Sequence, residues 1–397
     1  MLYRTMPKNG DTLSALGFGA MRFQLLEDGS VDETRAITQI RIAVDNGVNY
    51  IDTAYPYLGG QSEIIVGKAL KEGYREKVKI ATKLPRWLVK KREDMDRLLD
   101  EQLKKLDVDH IDYYLVHALD GNSWDAMVEL GIADFLDKAL ADGRIGNAGF
   151  SFHGVGDDFI RIVDGYPWVF CQIQYNFLDT QNQAGTRGLK YAAEKDLGVI
   201  IMEPLRGGNI SLPVAPPEVQ QIWDTAEVKR SPVEWALRWV WNAPEVTVVL
   251  SGMNEEAHIE QNLAIAGEAA ANSLSQAELE LVDQAAAKYG ELMAVPCTGC
   301  GYCVPCPVGV RIPLCFEKLN HLHMFKDEMI AKYQYAVLLS NTMGGESGYA
   351  SLCVECGECL EKCPQHIDIP EVLKQVVDEL ESDNMEDMAK GVLQPNK

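Results

Sequence analysis

Val48-Asn49-Tyr50-Ile51-Asp52-Thr53-Ala54 is a strand-forming run that reaches a carboxylate and then turns through Tyr55-Pro56-Tyr57. It follows an amphipathic stretch, Thr34–Asn46, whose apolar residues recur at helical spacing. The same unit returns along the chain, at Ala15–Met21, Val78–Lys83, Ile111–His117, Ile145–Ser151, Val169–Gln174, Gly198–Pro204 and Val246–Gly252. These runs show little apolar–polar alternation, as expected for strands covered on both faces. Helical patterns such as Asp94–Leu106 and Asp125–Ala141 lie between them, and Asp32, Asp142-Gly143 and Asp196-Leu197-Gly198 supply starts and stops. Eight such units in series predict an α/β fold, a (β/α)8 TIM barrel rather than a doubly wound sheet. Met1–Thr12, with the turn signal Lys8-Asn9-Gly10, predicts a hairpin across the barrel floor.

A chain of 397 residues, 47% of them hydrophobic, has room for this barrel and a smaller domain. The expected division is a barrel over 1–270, a linking helix over 271–290, a mainly helical ferredoxin-like domain over 291–380 and a polar tail over 381–397. Met1–Gly10 lacks the apolar stretch of a signal peptide, and no apolar run approaches membrane-spanning length. A cytoplasmic setting is expected from the cysteines, most of which fall in a ligand pattern rather than in disulfide pairs. The formal charge of −22 repels phosphate backbones and anionic membranes, so nucleic acid and membrane are poor partners.

Eight of the ten cysteines form two runs. The first is Cys297-x-x-Cys300-x-x-Cys303-x-x-Cys306-Pro307, the second Cys353-x-x-Cys356-x-x-Cys359-x-x-x-Cys363-Pro364. Three thiolates at close spacing with a fourth before proline is how a chain holds two [4Fe–4S] clusters, the fourth cysteine of each run serving the other cluster. The expected sets are Cys297, Cys300, Cys303 with Cys363, and Cys353, Cys356, Cys359 with Cys306. Two zinc sites of four cysteines each are the alternative, although zinc seldom uses cysteine triplets ending in Cys-Pro. The first run is one residue shorter before its Cys-Pro and must turn more tightly. Cys171 and Cys315 have no pairing logic and read as buried thiols. His321 and His323 read as a solvated helical pair rather than metal ligands.

In a (β/α)8 barrel, chemistry gathers at the C-terminal ends of the strands. Asp52 ends the second strand, Lys83 the third and His117 the fourth, with Tyr57 just beyond Asp52. A carboxylate, an ammonium, an imidazole and a phenol converging on one mouth suit an acid–base step. Lys83, held by Asp52, is expected to lower the Tyr57 pKa. Tyr57 would then protonate a carbonyl oxygen while His117 orients it.

With these residues the chain resembles an aldo–keto reductase over about 2–266, and the whole chain resembles such reductases fused to a dicluster ferredoxin domain. The resemblance places a catalytic tetrad on Asp52, Tyr57, Lys83 and His117, and implies NADP or NAD bound without a glycine-rich fingerprint. It gives Ser151 and Gln172 the carboxamide and sets Met202 where an aromatic often stacks on the nicotinamide, a position that barrel-core packing explains equally well. It runs Leu205, Arg206, Gly207 and Gly208 along the pyrophosphate, and places Ser251, Gly252, His258 and Asn262 around the adenosine. Gly252 and His258 stand where a lysine and an arginine often grip the 2′-phosphate, which weakens an NADP assignment.

The expected activity is interconversion of a carbonyl and an alcohol on a small substrate by hydride transfer, with the clusters exchanging electrons with a ferredoxin or flavoprotein. Nicotinamide moves two electrons and a cluster one, and nothing in the sequence reads as a flavin motif. Two other readings stay open: clusters that are structural only, and an electron-transfer or binding subunit without carbonyl turnover. Specificity is expected in the loops holding Arg86-Trp87, Leu119–Trp124 and Gly208–Pro217.

Overall fold

A computed structural model describes residues 1–26, 28–268, 270–340, 346–382 and 385. Most of the expected tail, 383–384 and 386–397, lies outside the described residues. The described chain forms two compact units, one of residues 1–204 and 234–275, the other of 205–233 and 276 onward.

The first unit opens with a hairpin of β1 (Tyr3–Thr5) and β2 (Thr12–Ser14), whose connection turns at Gly10 with a positive φ. The barrel strands follow: β3 (Leu16–Gly19), β4 (Tyr50–Asp52), β5 (Lys79–Leu84), β6 (Ile111–Leu119), β7 (Ile145–Phe152), β8 (Phe170–Gln174), β9 (Gly198–Met202) and β10 (Val246–Ser251). They close in the order β10-β3-β4-β5-β6-β7-β8-β9 with every pairing parallel. This is the TIM barrel predicted from the repeated unit, and every residue of β6 is buried, as strands covered on both faces require. The hairpin supplies Met6 and Leu13 to a core shared with Tyr50, Ala81, Tyr113, Leu115, Phe170, Ile200, Val248 and Leu250.

Helices α1 (Glu33–Asp45), α2 (Ser62–Ala69), α3 (Arg92–Leu106), α4 (Gly121–Glu129), α5 (Ile132–Ala141), α6 (Gly156–Asp164) and α7 (Gly185–Glu194) alternate with these strands. Asp32 caps α1 by accepting from the Arg35 amide at 3.0 Å. The stretch Asp125–Ala141, read as one helix, is two. Gly131, at φ 76°, breaks it, because that conformation is cheap only for glycine. Beyond the β9 turn lie α8 (Pro217–Trp223) and α9 (Pro232–Asn242), and α10 (Glu256–Glu268) follows β10.

In the second unit, α8 packs against α11 (Gln276–Leu292), and α12 (Ile312–Phe325) packs against α13 (Glu328–Leu339) and α14 (Ile369–Leu380). The helical pattern over Ile312–Leu339 is interrupted where Lys326 takes a positive φ and Asp327 caps the next helix. Cys315, Phe316, Leu319, Tyr335 and Val376 lie at its core, against which Cys297, Cys303, Cys306, Cys353, Cys359 and Cys363 pack. Among the described residues of 291–385 no strand occurs, so the segment is mainly helical as expected.

Candidate active site and cluster sites

Side chains in a strand alternate, so the residue two before each strand-end group shares its face. Tyr50, Ala81 and Leu115 face the barrel core, which turns Asp52, Lys83 and His117 to the same interior at its C-terminal end. All three are buried, at 3%, 0% and 1% exposure. Lys83 Nζ donates to both Asp52 carboxylate oxygens, at 2.7 and 2.8 Å, and to the Thr53 carbonyl at 2.7 Å. Three acceptors match the three N–H bonds of an ammonium. Burial raises the Asp52 carboxyl and lowers the Lys83 amine from their ordinary values, and their mutual attraction pulls each back toward the charged form.

Tyr57 and Tyr55 separate sharply although they are neighbours in sequence. The Tyr55 hydroxyl donates to Glu101 at 3.0 Å. The Tyr57 ring instead stands over the ion pair, with Lys83 Nζ 4.9 Å from its centroid, and meets the His117 ring edge-on at 6.0 Å. The structure therefore brings all four tetrad residues together. It also corrects the expected proton state. Burial, then the Asp52 and Glu203 carboxylates, push the Tyr57 phenol well above 10, and the nearby Arg22 charge opposes them only in part. The reason is geometric: the three Lys83 hydrogen bonds go to Asp52 and Thr53, and the ammonium faces the phenol's ring. Burial, then the Lys83 charge, hold His117 well below 6.5, so its imidazole is neutral near pH 7. Among the described residues His117 Nδ1 has no hydrogen-bond partner.

Behind the pair sits a polar network that the sequence reading missed. Gln102 donates to Glu63 at 2.6 Å, to Thr82 at 3.1 Å and to the Lys83 carbonyl at 3.0 Å, and accepts from the Tyr114 hydroxyl at 2.7 Å. The signal existed: Gln102 occupies a core position of α3 between Leu99 and Leu106. Of the two loop tryptophans, Trp124 is buried against Trp168, whereas Trp87 is 38% exposed with its ring 5.1 Å from His117. Trp87 therefore borders the mouth, and Trp124 is barrel packing.

Ser151 lies next to the last residue of β7 and Gln172 at the middle of β8, both buried. Strand β6 shifts register after Val116, and Ala118 takes a positive φ. Its freed amide donates to Ser151 Oγ at 2.7 Å, leaving the serine proton to give elsewhere. Gln172 Nε2 lies 3.6 Å from Met202 Sδ, while its buried Oε1 has no partner among the described residues. An orphaned amide oxygen beside a serine-bearing strand fits a carboxamide ligand. Asn262 donates to Ser251 Oγ at 2.8 Å, and Gly252 and His258 are exposed.

Leu205, Arg206, Gly207 and Gly208 belong to the second unit. Arg206 is 2% exposed with its guanidinium 3.2 Å from Met293 Sδ, and Gly207 and Gly208 both take positive φ.

In that unit Cys297, Cys300, Cys303 and Cys363 line one cavity with Thr298 and Phe316. Cys306, Cys353, Cys356 and Cys359 line another, which Cys303 also borders. The fourth cysteine of each run thus meets the triplet of the other. Gly299 N–H donates to Cys297 Sγ at 3.4 Å and Glu355 N–H to Cys353 Sγ at 3.5 Å, the same local turn in both runs. Among the described residues no three His, Cys, Asp or Glu side chains converge on a single-ion site. His321 stacks on Phe325, and His323 pairs with Glu379 at 2.7 Å; both are half-buried rather than solvated.

Residues 15–287 match the aldo/keto reductase family, and residues 296–367 match the 4Fe-4S dicluster domain. The chain belongs to the aldo/keto reductase family. Members of this family are NAD(P)H-dependent oxidoreductases, and the dicluster domain with its eight cysteines implies two [4Fe–4S] clusters. The chain is 27% identical over 310 residues to probable aldo-keto reductase 1 of Glycine max, covering 70% of this chain and 86% of that protein. It is 28% identical over 306 residues to L-galactose dehydrogenase of Arabidopsis thaliana, covering 70% of this chain and 92% of that one. Among solved structures, aldo-keto reductase AKR11C1 of Bacillus halodurans in its holo form superposes with a TM-score of 0.60 at 22% identity, covering 72% of this chain and 96% of that one. An aldo-keto reductase from Klebsiella pneumoniae in complex with NADPH superposes with a TM-score of 0.57 at 21% identity, covering 72% and 95%. At these identities the structures show the fold.

Proposed function

We propose that this reductase interconverts a small carbonyl and its alcohol, with Tyr57 as proton donor. The observation that carries the proposal is the buried Lys83–Asp52 pair beneath the Tyr57 ring, beside a neutral His117. NADPH or NADH, when bound, supplies the hydride to the carbonyl carbon. Tyr57, held protonated by burial, gives its proton to the carbonyl oxygen and receives it back in the reverse direction. The Lys83 ammonium stabilises the phenolate left behind through space rather than by lowering the resting pKa. His117, neutral and hydrogen-bonding, orients the oxygen. Ser151 would donate to the carboxamide of the dinucleotide, and Gln172 Oε1 would accept from it. Trp87 walls the substrate side with an apolar face.

Tyr57→Phe tests this reading. Turnover with aldehydes should fall by about 10²- to 10⁴-fold while dinucleotide affinity stays the same. Activity that survives the substitution removes Tyr57 from the role. A chain that never turns over carbonyls would instead be an electron-transfer or binding subunit.

Cys297, Cys300, Cys303 and Cys363 would hold one [4Fe–4S] cluster, and Cys353, Cys356, Cys359 and Cys306 the other. Each cluster, when bound, takes up or gives one electron. The second run favours exchange with a partner: Val354 is 64% exposed and Leu360 42%, Cys356 is exposed, and the exposed Glu355, Glu358 and Glu361 lie in the same stretch, Glu355 paired with Lys374 and Glu358 near Lys362. An apolar patch with an acidic rim suits a ferredoxin or flavoprotein with a basic face. A flavoprotein would also divide the electron pair of nicotinamide into single electrons. EPR after adding reduced ferredoxin tests it; clusters that no donor reduces would be structural.

A further inference from the structure

The turn after β9 is built against the first cysteine run. Asn209 Nδ2 donates to the Cys297 carbonyl at 2.8 Å. Gly207, at φ 66°, approaches Thr298 so closely that a Cβ there would sit 1.7 Å from the Thr298 carbonyl oxygen. Only glycine permits that approach. Arg206 is packed onto Met293, four residues before Cys297. Thr298 also lines the cavity of the first four cysteines, and its buried hydroxyl has no partner among the described residues. One dipeptide, Cys297-Thr298, thus carries a thiol for that cavity and carbonyl groups that fix the turn.

We propose that the first cysteine run is part of the dinucleotide phosphate site, so that filling the first cluster site sets the affinity for NADPH. This rests on the reading of Leu205–Gly208 as the pyrophosphate turn. A thiolate fixed in a cluster fixes its own backbone; the Cys297 carbonyl then holds Asn209, and the Thr298 carbonyl is the surface against which Gly207 packs. A turn already ordered loses less freedom when it closes on a phosphate. Without iron the Cys297 loop has more freedom, and that ordering falls on the binding step. Asn209 is a positioning residue in this scheme. The coupling must be reciprocal: dinucleotide binding must be felt at the cluster that Cys297 holds.

The experiment uses the full chain, reconstituted anaerobically, with NADPH binding followed by tryptophan fluorescence and cluster EPR recorded with and without NADP+. Asn209→Ala should retain its iron yet bind NADPH about fivefold more weakly, the weight of one ordinary hydrogen bond. Iron-free wild type should show a loss at least as large. NADP+ should shift the EPR spectrum of one cluster in the wild type and leave it unchanged in Asn209→Ala. Equal affinities in all three forms, or a spectrum insensitive to NADP+ in the wild type, overturn the coupling. A reconstituted wild type that binds neither NADPH nor NADH overturns the cofactor reading itself, and the coupling with it.

Discussion

The chemistry of this reductase depends on where three protons sit. Lys83 is an ammonium because three acceptors surround it, and removing it leaves Asp52 buried without its counter-charge. Lys83→Met should therefore destabilise the chain by about 3–5 kcal/mol at neutral pH, measured by chemical denaturation. Burial already raises Asp52, and losing Lys83 removes what opposes that rise. A folded pKa above the unfolded one means that the native state gains protons as pH falls. The variant's deficit should accordingly shrink as pH drops through that raised value and be greatest above it. Tyr57 sits well above 10 and His117 well below 6.5, so neither changes charge between these limits. The kcat for carbonyl reduction should be flat from about pH 7 to 9. A titration step inside that window would mean that Tyr57, or the Lys83–Asp52 pair beneath it, changes charge there.

At the scale of the element, the strands position Asp52, Lys83 and His117 through their period of two, and the turn after β4 brings in Tyr57. Tyr50 and Asp52, Ala81 and Lys83, and Leu115 and His117 were legible as pairs once the strands were found. The hairpin was legible from Lys8-Asn9-Gly10, yet what it does was not: Met6 is wholly buried in the barrel core, and Gly198 is where it fits. Met6→Ala should cost about 2–5 kcal/mol by opening a cavity there, measurable by denaturation, with little change in dinucleotide affinity. The break at Gly131 was readable as a glycine but not as a boundary, since the apolar pattern runs through it. Trp87 and Trp124 looked alike in sequence, and only packing separated them. Gln102 was hidden because a lone polar residue at an apolar position has no partner in the local sequence.

For the whole molecule, two runs of cysteine 56 positions apart, measured from Cys297 to Cys353, line two cavities to which each run contributes. The crossing predicts unequal losses. Cys363→Ser should disturb the cluster held by Cys297, and Cys306→Ser the one held by Cys353, each removing about half the iron. EPR of the surviving cluster distinguishes them; a pairing of each fourth cysteine with its own triplet would reverse the outcome. The net charge of −22 and the acidic rim around Cys356 would make reduction by a basic partner slow as salt increases.

The sequence alone determined the barrel, the two cysteine runs and the strand positions of Asp52, Lys83 and His117, because each is written in local order: a repeated unit, a spacing, a period of two. Tertiary structure decided the proton states, the network behind Lys83 and the contact of the β9 turn with Cys297 and Thr298. Those depend on burial and on groups distant in sequence, and the energy of a charge or a hydrogen bond is set by what surrounds it rather than by its neighbours in the chain.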